Sequence, residues 1–140
     1  MDCCSTSYVV RPIKNGELPD LAASAWRWPL DPRVQTNGTA YLGAWHADYQ
    51  WLGIVTQVGN LILACEVLPV YQGHGIGRAL IRHMQARYPT LCADEVMFDS
   101  IGFWEHCGFV AMNPALTWET GADHAGRYLW PACTIPLEGV

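Results

Sequence analysis

Three glycines stand at alternate positions in the stretch PVYQGHGIGRAL (Pro69–Leu80), directly before an apolar segment that carries arginines. A strand that ends in a glycine loop and opens a helix leaves the first N–H groups of the helix free, and the helix dipole adds positive potential there. Glycines also let a bulky anion approach the main chain, because no side chain blocks it. The spacing predicts either a site for a phosphate-bearing ligand or a tight strand-to-helix turn without a ligand.

Two better-known phosphate motifs fit this stretch poorly. A Walker loop needs a lysine after its glycines, and a dinucleotide fingerprint needs the spacing GxGxxG; here no lysine follows and the spacing is GxGxG. The pattern Gln72-x-x-Gly75-x-Gly77 describes the stretch better. Concentrated positive charge beside the loop favours a phosphate-rich ligand. Three of the eight Lys and Arg residues follow the glycines, at Arg78, Arg82 and Arg87.

A single carboxylate interrupts the apolar segment Leu61–Leu68 (LILACEVL). Carboxylates are seldom buried without a partner or a purpose, so Glu66 is predicted to be functional. A carboxylate held in an ion pair with an arginine is the alternative. Strand alternation places Glu66 on one side with Ile62 and Ala64, opposite Val67.

The elements that must position these residues belong to one α+β domain over residues 1–140. The segment Leu61–Leu68 is apolar on both faces apart from Glu66, as in a central strand that is covered on both sides. The predicted elements, in chain order, are the strand Ser7–Pro12, the helix Glu17–Trp28, the strands Ala40–Ala47, Gln50–Val58 and Leu61–Leu68, the helix Gly77–Tyr88, the strand Thr90–Glu95, the helix Ser100–His106 and a closing hairpin of Phe109–Thr120 with Arg127–Ile135.

Composition narrows the class of protein. Hydrophobic residues make up 51% and charged residues 15%, which predicts a folded globule. The net charge of −5 disfavours nucleic-acid binding and favours an amine-bearing partner. The six cysteines form no CxxC pair, so free thiols and no metal site are expected. The first residues, MDCCSTSY, do not resemble a signal peptide, and no apolar run reaches about 18 residues, so a cytoplasmic protein without a membrane partner is expected.

Two segments together resemble the GNAT family of N-acetyltransferases. Gln72-x-x-Gly75-x-Gly77 is similar to the acetyl-CoA signature of that family, and FWEHCGF (Phe103–Phe109) is similar to its FYEKxGF segment. The predicted order of elements agrees with the family over most of the chain, from Ser7 to Ile135. The resemblance implies a GNAT-like fold, with a central, mostly antiparallel sheet flanked by helices.

The resemblance also implies acetyl-CoA, or coenzyme A, as the cofactor. In the family the loop main chain holds the pyrophosphate, the preceding strand pairs with the pantetheine arm, and a strand N–H, here that of about Val67, meets the thioester carbonyl. Splaying of the strands opens the slot for the arm. The residues implied in cofactor binding are Val67, Leu68, Gln72, Gly73, His74, Gly75, Ile76, Gly77, Arg78, Ser100 and Phe103.

The implied reaction moves an acetyl group directly to a primary amine of a small molecule or a peptide. Glu66 is the first candidate for the base that deprotonates the amine, with His46 and Asp48 in reserve. Trp104, the second candidate catalytic residue, stands where the family commonly has a tyrosine that acts as general acid. An indole cannot donate a proton in that way, and its N–H could at most form a hydrogen bond to the sulfur. The thiolate then leaves unassisted, or receives its proton from one of four donors: a water, Cys107, Tyr71 or Tyr128.

Trp104 also leaves a second function open, a non-catalytic acyl-CoA-binding or protein-interaction module on the same fold. Four tryptophans, Trp26, Trp28, Trp45 and Trp51, fall on elements that usually shape the acceptor pocket. They form either an aromatic wall for a cationic amine or ordinary core packing, and packing is favoured. The short region between the first helix and the second strand indicates an open acceptor cleft, which a second copy in a homodimer could close.

Overall fold

The computed structural model of the protein describes residues 8–14, 17, 39–46, 50–112, 121 and 123–131. The predicted helix Glu17–Trp28 lies outside the described residues, except for Glu17. Asp48 and much of the closing hairpin lie outside them as well. The described strands are β1 (Tyr8–Pro12), β2 (Thr39–His46), β3 (Gln50–Val58), β4 (Leu61–Val67), β5 (Leu91–Ala93), β6 (Val110–Ala111) and β7 (Tyr128–Trp130), and the described helices are α1 (Ile76–Arg87) and α2 (Ile101–His106).

The strands form one mixed sheet in the order β1-β2-β3-β4-β5-β7-β6. Every neighbouring pair is antiparallel except β4 and β5, which are parallel. The antiparallel pairing of β6 with β7 is the described part of the predicted closing hairpin. The prediction of an α+β fold with a mostly antiparallel sheet is therefore confirmed.

The parallel pairing of β4 with β5 is short, and the two strands separate beyond it. β5 pairs with β4 only at Leu61 and Ile62, and one further bond joins the Asp94 N–H to the Ile62 carbonyl at 2.9 Å. From Leu63 to Val67, β4 continues without a partner in β5. The two strands thus diverge toward their carboxyl ends, as the splayed slot of the sequence analysis requires.

α1 follows β4 and packs on the sheet through one apolar stripe. Ile76, Leu80, Ile81 and Met84 are buried, and together with Leu42 of β2 and other sheet residues they form the main core. The helix begins and ends one residue earlier than the predicted helix Gly77–Tyr88. Within the described residues, no helix is long and apolar enough to span a membrane.

The opposite face of the sheet carries a second, smaller core of Ile13, Tyr41, Trp51 and Ile54. Two consecutive residues of β3 show which face of the sheet is which. A side chain on Gly53 would meet Leu80 and Ile76 of α1, whereas Ile54 packs in the second core.

A bulge in the pairing of β3 with β4 corrects one part of the sequence analysis. Thr56 pairs with Ala64 and Gln57 pairs with Ile62, so Leu63 is the extra residue. The expected alternation that places Ile62 on the side of Glu66 is wrong, because Ile62 is buried in the main core with the α1 side chains. The register between Ala64 and Val67 is regular.

The absence of a side chain at Gly43 of β2 leaves room for the second core, and a substitution at this position tests that packing. An added Cβ there would collide with the indole of Trp51 and lie 2.8 Å from Ile13 Cδ1. We expect Gly43→Ala to destabilise the fold by about 1–3 kcal/mol, measured by urea unfolding. Gly102→Ala, at a helical site with nothing within 4 Å, is the matched control and should be neutral or slightly stabilising. A Gly43→Ala protein as stable as the control would contradict this packing.

Candidate active site

A cavity of about 700 Å³ opens where β4 and β5 diverge. Its walls come from five parts of the chain: β4 beyond its pairing with β5, the loop that follows β4, the first turn of α1, the end of β5 with the segment after it, and α2 with the residues just before it. Side chains and main chain both contribute. The lining residues that the sequence predicts to be functional are Glu66, Val67, Tyr71, Gln72, Gly73, Gly75, Ile76, Gly77, Arg78, Ser100, Phe103 and Trp104.

The N-terminus of α1 meets this cavity without a cap of its own. Gly75 is the N-cap residue and offers no side chain, and the first turn contains no acidic residue. The Ala79 N–H bonds to the Gly75 carbonyl at 3.0 Å, so the helical ladder begins there and the preceding amides of the first turn have no partner within the helix. Such an end attracts an anion.

The glycines of the motif act in two different ways. Gly73 and Gly75 have φ angles of +85° and +81°, a region that other residues rarely adopt, and each has open space where a side chain would lie. Gly77 is buried in the helix, and an added Cβ would lie 3.0 Å from Phe103 Cε1. Gly77 therefore allows α1 and α2 to approach each other, whereas the sequence analysis took it as clearing the loop for an anion.

The main chain of β4 directs polar groups toward the cavity at alternate residues. The Leu68 N–H donates to the Leu52 carbonyl at 3.0 Å, which makes these two a hydrogen-bonded pair across β3 and β4. The next pair, Gly53 with Val67, is then non-hydrogen-bonded. The N–H and C=O groups of Val67, and by the same alternation those of Cys65, point away from β3 into the slot.

Three residues expected at the cofactor have other positions or contacts. The Leu68 N–H is bonded to β3, and neither Leu68 nor His74 lines the cavity. Gln72 lines it, but its Nε2 donates to the Val67 carbonyl at 3.0 Å.

The arginines of α1 do not act as one group. Arg78 lines the cavity and Arg82 lies one turn further along the same face. Arg87 lies in the last turn, 5.9 Å from the ring centre of Tyr88, where it suits the negative end of the helix dipole. Positive charge at the loop thus comes mainly from Arg78, and the expectation that all three arginines serve the loop is wrong for Arg87.

Glu66 is half-buried and lines the cavity from the middle of the sheet. It pairs with Ile54 of the second core, whereas the neighbouring Val67 pairs with Gly53 on the α1 face. Glu66 therefore lies on the face opposite α1, as strand alternation predicted. The reserve base His46 is half-buried at the end of β2 and does not line the cavity.

Trp104 forms part of an aromatic row. It is only 6% exposed and makes edge contacts with Phe103 and Phe109, with ring centres 5.2 and 4.9 Å apart. Of the expected side-chain proton donors, Tyr71 lines the cavity, whereas Cys107 and Tyr128 do not. Burial raises the pKa of both the Cys107 thiol and the Tyr128 hydroxyl.

Cys65, for which the sequence predicts no role in the reaction, also lines the cavity. Burial raises its pKa to about 12, with the charges of Cys107 and Glu66 acting in the same direction. At neutral pH the thiol is protonated, and a protonated thiol is a weak nucleophile.

The aromatic wall for a cationic ligand, the less favoured of the two interpretations of these tryptophans, contains a cation of the protein itself. The Arg11 guanidinium lies 4.9 Å from the ring centre of Trp51 and 5.4 Å from that of Trp45. It also donates two hydrogen bonds to the Glu17 carboxylate, at 2.7 and 3.1 Å, and this hydrogen bonding lowers the pKa of Glu17. Trp51 is 5% exposed, so packing accounts for this tryptophan.

Comparison with known proteins agrees with this geometry. Residues 34–111 match the family profile described as the acetyltransferase (GNAT) domain. A mutant of spermidine N-acetyltransferase SpeG from Vibrio cholerae superposes with a TM-score of 0.61 at 17% identity, over 87% of this chain and 92% of that one. The SpeG spermidine/spermine N-acetyltransferase of the same organism in complex with manganese gives 0.58 at 15% identity, over 90% and 92% of the chains.

A glucosamine N-acetyltransferase region of a fungal multi-domain β-N-acetylglucosaminidase is also similar, with a TM-score of 0.59 at 16% identity over 75% of this chain and 17% of that one. Comparison with curated proteins finds no relative by sequence. The family profile covers more than half of the 140 residues. The chain therefore belongs to the GNAT family and is an acetyltransferase, and the resemblance stated from the sequence is confirmed.

The contact between Gly77 and Phe103 can be tested by a double-mutant cycle. We expect Gly77→Val to destabilise the protein by about 1–3 kcal/mol, because the new side chain meets the Phe103 ring. Phe103→Leu should lower the free energy of unfolding in the wild type but recover part of the loss in the Gly77→Val background. The coupling free energy between the two substitutions, measured by urea unfolding, should be at least about 0.5 kcal/mol. Additive effects of the two substitutions would contradict the contact.

The pKa of Cys65 predicts a pH dependence of stability. A thiol whose pKa is raised from 9.0 to about 12 on folding contributes stability that is complete below pH 9 and decreases as the pH rises toward 12. Between pH 8 and pH 10.5 the wild type should therefore lose more unfolding free energy than Cys65→Val, in which the other titrating groups are the same. Equal losses in the two proteins would show that the thiol is not buried as described.

Proposed function

We propose that the chain, as one domain over residues 1–140, transfers an acetyl group from acetyl-CoA directly to a primary amine of a small molecule or a peptide. The observation that carries the proposal is the uncapped N-terminus of α1, which opens into the same cavity as the unpaired main chain of β4. A pyrophosphate suits the first feature and an extended amide arm suits the second.

The residues present fit coenzyme A. The free first-turn amides around Ile76 and Gly77 would hold the pyrophosphate, and the Arg78 guanidinium would add charge-assisted bonds. The N–H and C=O groups of Cys65 and the N–H of Val67 would pair with the arm along β4, because the Val67 carbonyl accepts a hydrogen bond from Gln72. Phe103 and Ser100, on the α2 side of the cavity, would flank it.

When bound, acetyl-CoA supplies an activated thioester, and the protein's part is to orient groups around it. The Val67 N–H, directed into the slot, would polarise the carbonyl. Glu66 lines the same cavity from the other face of the sheet and would accept the proton of the amine. Because Cys65 is protonated at neutral pH, direct transfer is favoured over an acylated cysteine.

The departing sulfur would receive its proton from Tyr71 or from a water. Among the three expected side-chain donors, Tyr71 is the one that lines the cavity. Trp104 then serves as a packing wall for α2, which accounts for its burial among aromatic rings. Membership of an acetyltransferase family favours this enzyme over the non-catalytic module.

A positively charged acceptor suits the charges of the cavity. Four carboxylates line it, at Glu66, Asp94, Glu95 and Asp99, against the single guanidinium of Arg78 among the described lining residues. Asp94 is paired with Arg127 at 3.0 Å and Glu95 lies 4.0 Å from His124 Nε2, so the acidic character of the cavity rests on the number of its carboxylates. Polyamines are therefore the first acceptors to test, and the similar Vibrio cholerae enzyme is named for one of them, spermidine.

The direct test is release of free thiol from acetyl-CoA with a panel of polyamines, aminoglycosides, amino acids and peptide N-termini. Calorimetry should show micromolar binding of acetyl-CoA, about −8 kcal/mol. Thiol release above background with an amine would support the proposal. Tight binding with no release for any amine would favour the module, and absence of binding would refute the cofactor site.

Removing the Glu66 carboxylate tests its role as the base. We expect Glu66→Gln to lower turnover about 100-fold, because the amine then keeps its proton, while acetyl-CoA affinity stays within about twofold. Glu105→Gln is the matched control, since Glu105 is exposed on α2 and does not line the cavity. A folded Glu66→Gln protein with full turnover would remove Glu66 from the mechanism.

A further inference from the structure

The side chain of Gln72 turns back onto the strand that precedes it. A 3₁₀ turn over Pro69–Tyr71 reverses the chain after β4, with the Tyr71 N–H bonded to the Leu68 carbonyl at 2.9 Å. This reversal brings the Gln72 Nε2 to 3.0 Å from the Val67 carbonyl. The first residue of the glycine motif thus contacts β4, although its place in the motif predicts contact with the cofactor.

With that hydrogen bond, both polar groups of one peptide unit are hydrogen-bonded within the protein. The peptide between Val67 and Leu68 has its carbonyl bonded to Gln72 and its N–H bonded to the Leu52 carbonyl at 3.0 Å. On the other side of Val67, Glu66 is paired with β3. Val67 is therefore held between two anchored segments, with its own N–H directed into the slot.

We infer that Gln72 is a positioning residue for acetyl transfer, and this inference rests on the proposed function. Gln72 holds the peptide that follows Val67 and occupies the Val67 carbonyl, which removes one acceptor from the open main chain of β4. An extended arm beside β4 then has one set of partners, the N–H of Val67 and the main-chain groups of Cys65. Without Gln72, the freed carbonyl offers the arm a second register, in which the thioester carbonyl misses the Val67 N–H.

A binding experiment separates this role from direct contact with the cofactor. Adenosine 3′,5′-bisphosphate carries a phosphate for the α1 N-terminus but lacks the arm. We expect Gln72→Met, which has similar volume and no N–H donor, to bind this nucleotide within twofold of the wild type. At saturating acetyl-CoA its kcat should fall about tenfold, as expected for loss of one neutral hydrogen bond, with the KM for the amine changed less than threefold.

Two further variants make the result specific. Gln72→Asn is one methylene shorter and should behave like Gln72→Met. Gln85→Met is the matched control, because Gln85 makes a similar bond, from Nε2 to the Cys107 carbonyl at 2.8 Å, away from the cavity; its kcat should be unchanged.

The outcomes distinguish the inference from the proposed function. Loss of nucleotide affinity in the Gln72 variants would show direct contact with the phosphates and overturn the inference, as would an unchanged kcat in the folded variants. If the wild type itself bound neither acetyl-CoA nor the nucleotide, the proposed function would fail, and the inference with it.

Discussion

The site depends on the part of β4 that forms no hydrogen-bonded pairs with the adjacent strand β5. β4 is central in the sheet, yet β5 pairs with it only at Leu61 and Ile62. Buried main-chain groups need hydrogen-bond partners, so a central strand that is left unpaired over several residues favours a ligand that can supply them. The two helices then fix the width of the slot, because α1 and α2 meet at Gly77 and Phe103. The opening in the sheet, the helix end and the aromatic row are thus parts of one arrangement.

The glycines of the loop meet two different structural requirements, a left-handed main-chain conformation and a close helix contact, which the sequence alone does not distinguish. Gly73 and Gly75 supply left-handed conformations, which turn the chain from the edge of the slot into the helix. Gly77 supplies only the absence of a side chain, at a helix contact formed with a residue 26 positions later. The positive charge beside the loop is likewise local, since Arg78 reaches the cavity and Arg87 stabilises the other end of the helix.

Local patterns predicted most of the fold, because they are set by the nearest neighbours in the chain. Residue order alone predicted the helix α1, the two strands on either side of Gly59, and the placement of Glu66 on the face opposite Val67. It did not predict the bulge at Leu63, the contact of Gly77 with Phe103 or the return of Gln72 to Val67. Each depends on where a second element lies in space, and alternation or spacing within one segment carries no such information.

The central claim is that coenzyme A binds with its pyrophosphate on the N-terminus of α1 and its arm along β4. Titration of ¹⁵N-labelled protein with coenzyme A, followed by amide NMR, tests it most directly. The account predicts the largest shift changes at the amides of Val67 and of residues 75–78, with little change at Arg87 and Tyr88 at the far end of the helix. Binding that leaves residues 75–78 unchanged, or that shifts mainly the far end of α1, would contradict it.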